Sequence, residues 1–281
     1  MSAGASDPRS AWLAGDQGAK SRRKVYWRSA LEACGNRTPV LLFGDSIFAG
    51  EVEFSRCTDG VPTVFLPVVF SELGLSRLFE AANKPLFAIF GGSPDDGDAV
   101  DALIEMVGGW TGARFVLQDS GPHPSTPETL AALMSARLGR LVDAGLSGLV
   151  LTSPTASGVM ERFDWSRPLR EGGPSANDVT VRVASERGVP SLDFAALMRE
   201  LATSVGDEVL FQPDGVHLSL AGRLVLLGAV YKGLTGEVPV LDGFAGELVQ
   251  DWSEAGTDEK VSASELPGFA RLVSETLCRE G

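Results

Sequence analysis

The chain has 281 residues, enough for one large α/β domain or two smaller ones. Its hydrophobic fraction of 44% and charged fraction of 22% are those of an ordinary globular protein. The formal net charge of −13 argues against a nucleic acid or an anionic membrane surface as a partner, because both would repel the chain.

The three cysteines, Cys34, Cys57 and Cys278, are too few and too widely spaced for a disulfide framework or a zinc site. We expect reduced thiols and therefore a cytoplasmic protein, with one surface disulfide as the alternative. No metal and no organic cofactor are expected.

Residues 1–24 are rich in Gly, Ala, Ser and Arg and contain no continuous apolar segment, which predicts a disordered tail. Asp7, Arg9 and Asp16 interrupt every candidate secretory signal. No segment approaches the roughly 18 apolar residues that a membrane span needs.

Five short apolar segments predict buried strands, and segments with helical periodicity separate them. The strands are predicted at 39–43, 85–90, 113–118, 148–152 and 190–194. The helices are predicted at 25–33, 64–79, 99–107, 126–144, 195–204 and 219–234, with another beginning near 175. This alternation predicts an α/β domain over 25–236, with a parallel sheet covered by helices on both faces.

Residues 237–281 lie outside this alternation and form an acidic extension with ten acidic and three basic residues. A further helix is expected at about 266–278, packed on the domain or on a partner.

Gly44-Asp45-Ser46 directly follows the first predicted strand, at the edge of the sheet where α/β proteins place their sites. The glycine allows a tight turn, and a helix that begins after the serine would direct free N–H groups towards the same point. Ser46 is therefore a candidate nucleophile. A turn with a capping serine is the alternative interpretation of the same motif.

A serine nucleophile needs a base, and the chain has only two histidines, His123 and His217. His217 lies in Asp214-Gly215-Val216-His217, just before the last predicted helix of the domain. Its imidazole could take the proton of Ser46, while Asp214 fixes the tautomer. On spacing alone, a capping aspartate beside a surface histidine is the competing interpretation.

Gly44-Asp45-Ser46 after the first strand, together with Asp214-x-x-His217-Leu-Ser before the last helix, resembles the GDSL/SGNH hydrolase family. The order of elements over about 37–235 fits that family as well. The resemblance implies a flavodoxin-like three-layer α/β/α fold with a five-stranded parallel sheet, and a serine hydrolase or acyltransferase that acts on acyl esters. It implies Ser46 as nucleophile, His217 as general base and Asp214 as its partner.

The resemblance also implies an oxyanion hole built from the N–H of Ser46, a glycine after the second strand and an asparagine after the third. Gly91 and Gly92 occupy the glycine position. The third motif departs from the family, because Gly121-Pro122-His123 replaces Gly-x-Asn. His123 could replace the asparagine as a donor, bind a substrate group, or be a loop residue beside an incomplete hole.

Several other residues are candidates for substrate contacts. Asp119 and Ser120 end the third strand, and Asp45 neighbours the nucleophile, where a turn or cap role is the alternative. Trp165 lies in the loop after the fourth strand, where it could line the substrate mouth or simply pack. Asn177-Asp178 begins a helix, and capping explains this pair better than a role in the hole.

The sequence therefore predicts an enzyme that acts on an acylated small molecule. A non-catalytic binding or scaffold protein of the same fold is the alternative, and the missing asparagine supports it. A nucleotide-binding flavodoxin-type protein is a third hypothesis, against which the absence of a Gly-rich phosphate loop argues. The sequence leaves the oligomeric state open, and a homodimer would be compatible with it.

Overall fold

A computed structural model of the chain describes residues 19–44, 66–92, 94, 97–118, 126–159, 163–241 and 266–279. Five parallel strands form one sheet in the order β2-β1-β3-β4-β5. The strands are β1 (Thr38–Phe43), β2 (Leu86–Gly92), β3 (Arg114–Gln118), β4 (Ser147–Leu151) and β5 (Ser191–Leu192). This strand order is that of flavodoxin-like sheets and confirms the predicted fold class.

Helices separate the strands along the described chain. They are α1 (Ala19–Cys34), α2 (Leu66–Ala81), α3 (Gly97–Val107), α4 (Pro127–Asp143), α5 (Ala176–Glu186), α6 (Phe194–Val205), α7 (Asp207–Leu210), α8 (Leu220–Thr235) and α9 (Leu266–Arg279). Thr126 caps α4, because its hydroxyl accepts the backbone N–H of Thr129.

Alternate side chains of each strand enter different hydrophobic cores, so the sheet is the middle layer of three. Val40 and Leu42 face the core formed with α2, α6, α8 and α9. Leu41 and Phe43 face the core formed with α1, α3, α4 and α5. We call these the α8 face and the α4 face of the sheet. Because both faces are covered, the strands are apolar almost throughout.

The last helix packs on the domain. Val273 and Leu277 of α9 are fully buried in the core of the α8 face. Nζ of Lys232 donates to the carbonyl of Leu277 at 2.6 Å, and Arg279 pairs with Glu200 of α6 at 2.9 Å. The helix predicted at 266–278 therefore completes the α8 layer.

Two boundaries differ from the sequence prediction. Helix α1 begins at Ala19 rather than at residue 25. Residues 20–24 are mostly Lys and Arg, which are good helix formers, although the composition of this segment predicted a disordered tail. Strand β5 has two residues, since the Asp193 carboxylate already caps α6 by accepting the N–H of Ala196. Residues 1–18, the rest of the predicted tail, lie outside the described part of the chain. Among the described residues, no helix is long and apolar enough to cross a membrane.

Candidate active site

The carboxyl ends of β1 and β3 lie side by side at the point where the strand order reverses. In flavodoxin-like sheets, ligands bind in the crevice at this topological switch point. Gly44 directly follows β1 there, and its N–H donates to the carbonyl of Gly92 at 3.2 Å. Asp45 and Ser46, the next two residues, lie outside the described residues.

Strand β2 carries a bulge at its carboxyl end, beside Gly44. Leu42 pairs with Phe90 but Phe43 pairs with Gly92, so Gly91 is an extra residue in β2. A Cβ at residue 91 would lie 2.4 Å from Cε1 of Phe43, so only glycine fits against that ring. Gly92 has φ of +97°, which favours glycine for conformational reasons. The two glycines that the sequence assigns to the oxyanion hole therefore shape a bulge next to the end of β1.

Helix α1 holds this bulge from the α4 face. Trp27 is almost fully buried, and its indole Nε1 donates to the carbonyl of Phe90 at 3.0 Å. The Phe90 carbonyl lies at the bulge, where the regular hydrogen bonding between β1 and β2 is interrupted, and the indole N–H provides it with a partner. The bulge is therefore a fixed feature of the site.

The structure places Asp214 and His217 in direct contact. Nδ1 of His217 lies 2.5 Å from Oδ2 of Asp214. Oδ1 of Asp214 accepts the backbone N–H groups of Val216 and His217, both at 2.9 Å. The backbone therefore holds the carboxylate in position, and the carboxylate orients the imidazole.

Both titratable groups are partly shielded. The His217 side chain is 18% exposed, and its Nε2 is buried from solvent. Burial by itself would raise the pKa of Asp214. The hydrogen bonds from the His217 ring and from the N–H groups of Val216 and His217 outweigh it, so the pKa lies below the ordinary value. Asp214 is therefore ionised at neutral pH, and Nε2 is the nitrogen of His217 that can act as a base.

Hydrogen bonds across the loop fix its shape. Gln212 donates its backbone N–H to the carbonyl of His217 at 2.8 Å and its Nε2 to the carbonyl of Leu218 at 3.1 Å. Gly215, with φ of +71°, accepts the N–H of Ala156 at 2.9 Å. Because Ala156 follows β4, this bond places the Asp214–His217 loop at the carboxyl edge of the sheet, on the same edge as Gly44.

Helix α8 begins immediately after this loop. Ser219 is its N-cap and accepts the N–H of Gly222 at 3.1 Å. A Cβ on Gly222 would lie 2.1 Å from the carbonyl oxygen of Leu210, so glycine is required for this close approach. Arg223, in the same turn, is fully buried, and burial lowers its pKa to about 10. It therefore remains a cation in the α8 layer at neutral pH.

A second polar group lies where β3 and β4 end. Gln118 is fully buried, and its Nε2 donates to Oγ of Ser153 at 2.8 Å. The Asn177 side chain binds the N–H of Ser153 at 2.9 Å and its carbonyl at 3.0 Å. The capping prediction for Asn177 is therefore wrong, whereas Asp178 forms a capping box with Ser175. The amide of Asn177 instead satisfies the backbone after β4, where the ladder ends.

Trp165 is 5% exposed and belongs to the core of the α4 face. Its ring packs edge-to-face on Phe163 at 6.4 Å, and its carbonyl accepts the N–H of Asn177 at 3.2 Å. These contacts favour the packing role over the substrate contact that the sequence also allowed.

The structure thus brings together Asp214 with His217, and Gly91 and Gly92 with Gly44. Asp119, Ser120 and His123 lie outside the described residues, so their roles stay predictions.

Sequence reasoning missed Gln118, Gln212 and Arg223. Two of them carry a signal in the sequence: Gln118 is a polar residue that ends an apolar strand, and Arg223 lies within the largely apolar α8. Within the described ranges, no cluster of three or more His, Cys, Asp or Glu side chains could hold a metal ion.

No protein-family model matches the chain, and no curated protein matches it in sequence. Solved structures do resemble it. The enzyme LAE5 from the metagenome of Lake Arreo, an α/β hydrolase, is 14% identical with a TM-score of 0.52, over 70% of this chain and 94% of that one. A mutant of Axe2, an acetyl-xylooligosaccharide esterase from Geobacillus stearothermophilus, is 16% identical with a TM-score of 0.50, over 73% and 97%.

A protein from Parabacteroides merdae assigned to the GDSL-like lipases is also 16% identical, with a TM-score of 0.49 over 72% of this chain and 96% of that one. The shared feature of LAE5 and Axe2 with this chain is the architecture of the domain. The chain has the three-layer α/β/α fold with a five-stranded parallel sheet that the sequence predicted.

Proposed function

We propose that the protein is a serine-type acyl-ester hydrolase with Ser46 as nucleophile, His217 as general base and Asp214 as the group that orients His217. The observation that carries the proposal is the 2.5 Å contact between Nδ1 of His217 and Oδ2 of Asp214. It leaves Nε2 as the basic nitrogen, in a loop at the same edge of the sheet as Gly44, which precedes Ser46 by two positions in the sequence.

The reaction has two steps. Nε2 of His217 takes the proton of the Ser46 hydroxyl while Oγ attacks the ester carbonyl carbon, which gives a tetrahedral oxyanion. The imidazolium then returns the proton to the leaving alcohol as the C–O bond breaks, and the acyl group stays on Ser46. Water, deprotonated by His217, attacks the acyl-serine; the bond between the acyl carbon and Oγ breaks as the imidazolium returns the proton to Oγ of Ser46, and the carboxylic acid is released. Asp214 remains ionised throughout and stabilises the imidazolium.

The oxyanion needs fixed donors at about 3 Å, which are worth several kcal/mol of barrier. We propose the N–H of Ser46 and the glycine bulge, Gly91 and Gly92, as donors, with His123 in place of the missing asparagine. The contact between Gly92 and the N–H of Gly44 supports this assignment, because it holds the bulge beside Gly44, which precedes Ser46 by two positions in the sequence.

A structural neighbour of the chain also acts on esters, since Axe2 is an acetyl-xylooligosaccharide esterase. An acyltransferase would use the same first step and differ only in the acceptor. In an acyltransferase, a hydroxyl group of a second substrate would attack the acyl-serine in place of water. Exclusion of water from the acyl-serine would therefore decide between transfer and hydrolysis.

The test compares wild type with Ser46→Ala on a panel of short and medium acyl esters. Ser185→Ala is the matched control, because Ser185 is exposed on α5 and far along the chain from the loops at the sheet edge. We expect kcat to fall by at least about 10³-fold in Ser46→Ala and to be unchanged in Ser185→Ala. Equal turnover by Ser46→Ala would contradict the proposal, and absence of ester turnover in wild type would favour a non-catalytic binding protein.

A further inference from the structure

Trp27 connects helix α1 to the glycine bulge of the proposed oxyanion hole. The side chain is 2% exposed and belongs, with Phe43, to the core of the α4 face. Its indole Nε1 donates to the carbonyl of Phe90 at 3.0 Å, and Phe90 directly precedes Gly91 and Gly92. A residue that only filled this core would not need a buried N–H, because an N–H that loses its partner is destabilising.

No neighbouring strand can supply this hydrogen bond. Strand β2 is at one edge of the sheet and pairs only with β1. The carbonyl of Pro85 accepts the N–H of Thr38, so it faces β1. Because successive carbonyls of a strand alternate in direction, the carbonyl of Phe90, five positions later, points away from β1. Trp27 is therefore the contact that holds the outer side of β2 at the bulge.

The bond to Phe90 also fixes the peptide group that begins the bulge. A trans peptide is planar, and its C=O and N–H point in opposite directions. The group that holds the Phe90 carbonyl therefore sets the direction of the N–H of Gly91. At the other end of the bulge, the carbonyl of Gly92 accepts the N–H of Gly44 at 3.2 Å. The two glycines thus lie between one carbonyl held by α1 and another held by the residue after β1.

From these contacts we infer that Trp27 is a positioning residue of the oxyanion hole, because its indole N–H keeps the peptide groups of Gly91 and Gly92 in the orientation that binds the oxyanion. The inference rests on the proposed function. An oxyanion exists only after the attack on the ester carbonyl, so the loss of this hydrogen bond lowers kcat and leaves KM unchanged.

The test removes the indole N–H in two ways. Trp27→Phe removes it together with part of the ring, and 3-benzothienylalanine at position 27 replaces the N–H by sulfur in a ring of the same shape. Leu103→Ala is the matched control, because Leu103 is fully buried in the same core and lies on α3, away from the Phe90 carbonyl. Steady-state kinetics on the best ester of the panel give kcat and KM for each protein.

Binding of a trifluoromethyl ketone gives a second measurement. Oγ of Ser46 adds to the ketone carbon while the hydroxyl proton passes to Nε2 of His217, so the adduct carries the oxyanion that the hole binds. In both Trp27 variants we expect kcat to fall by about tenfold, the inhibition constant of the ketone to rise by a similar factor, and KM to stay within twofold. Leu103→Ala should have a lower melting temperature with wild-type kcat and inhibition constant.

The outcomes separate the inference from the proposed function. Wild-type kcat and ketone binding in the benzothienylalanine variant would overturn the role of Trp27, and that variant alone decides if Trp27→Phe does not fold. An equal loss in Leu103→Ala, or a rise in KM at constant kcat, would also overturn it, because the effect would then belong to packing or to substrate binding. Absence of ester turnover and of ketone binding in wild type would overturn the proposed function, and the inference with it.

Discussion

The carboxylate of Asp214 contacts the ring of His217 through Oδ2 and the backbone N–H groups of Val216 and His217 through Oδ1. One short turn thus supplies both the orienting carboxylate and the donors that hold it. The pair can keep its geometry without any contact from a distant strand, because the two residues are separated by only two positions.

Replacing Asp214 by Asn should lower kcat by about 10³-fold or more. The amide would remove the negative charge that stabilises the imidazolium, and it could hold His217 in the wrong tautomer. Steady-state kinetics on the best ester of the panel would measure the effect. Asp207→Asn is the control, since the Asp207 carboxylate accepts the N–H of Ser157 rather than contacting His217. A kcat for Asp214→Asn within threefold of wild type would contradict the assigned role.

The same carboxylate should make stability depend on pH. The pKa of Asp214 is lower in the folded protein than in the unfolded chain, where it is about 3.9. Its contribution to stability is therefore fully present above that value and is lost as pH falls towards the folded-state pKa. Melting temperatures of wild type and Asp214→Asn should differ most well above pH ~4 and converge as pH falls below it. A difference that grows as pH falls would contradict the direction of the shift.

Replacing Gln212 by Ala should reduce kcat by about tenfold with little change in KM. The substitution removes the Nε2 bond to the Leu218 carbonyl, which helps to close the loop around His217. Since imprecise positioning of a base costs rate rather than binding, the effect should fall on kcat. Glu208→Ala, an exposed change on the neighbouring α7, is the control. A rise in KM at constant kcat would instead assign Gln212 to substrate binding.

Gly91→Ala should destabilise the protein by about 1–3 kcal/mol, because the new Cβ would overlap the Phe43 ring. Phe43→Leu in the same chain should recover part of the loss by making room. Gly109→Ala is the matched control, since no atom lies within 4 Å of a Cβ at that position. Urea unfolding would measure all four proteins. If Gly91→Ala were as stable as Gly109→Ala, the packing of the bulge on Phe43 would be refuted.

The sheet and its helices follow from sequence patterns because burial on both faces makes each strand a short, continuous apolar run. Val40–Phe43 is the clearest case, with all four side chains fully buried. The order of the strands in the sheet could not be predicted from these patterns, because an apolar run does not specify which strand pairs with it. Helix α7 was missed because it has only four residues and no apolar periodicity.

At the site, the Asp214–His217 contact was predictable because both residues lie in one turn. The bulge at Gly91 was not, since it depends on how β2 pairs with β1. Asn177 was assigned to capping from its place at a helix start, whereas its amide binds Ser153, 24 residues earlier. Contacts between distant segments, such as the hydrogen bond from Gln118 to Ser153, leave no mark on local sequence.

The most direct test of the central claim is the site of covalent labelling by an organophosphonate, mapped by mass spectrometry of peptides from wild type, Ser46→Ala and His217→Ala. We predict a single adduct on Ser46 in wild type, none in Ser46→Ala, and labelling slowed by at least about 10²-fold in His217→Ala, because the base is lost. An adduct on another residue, such as Ser120, or an undiminished rate in His217→Ala, would contradict the account.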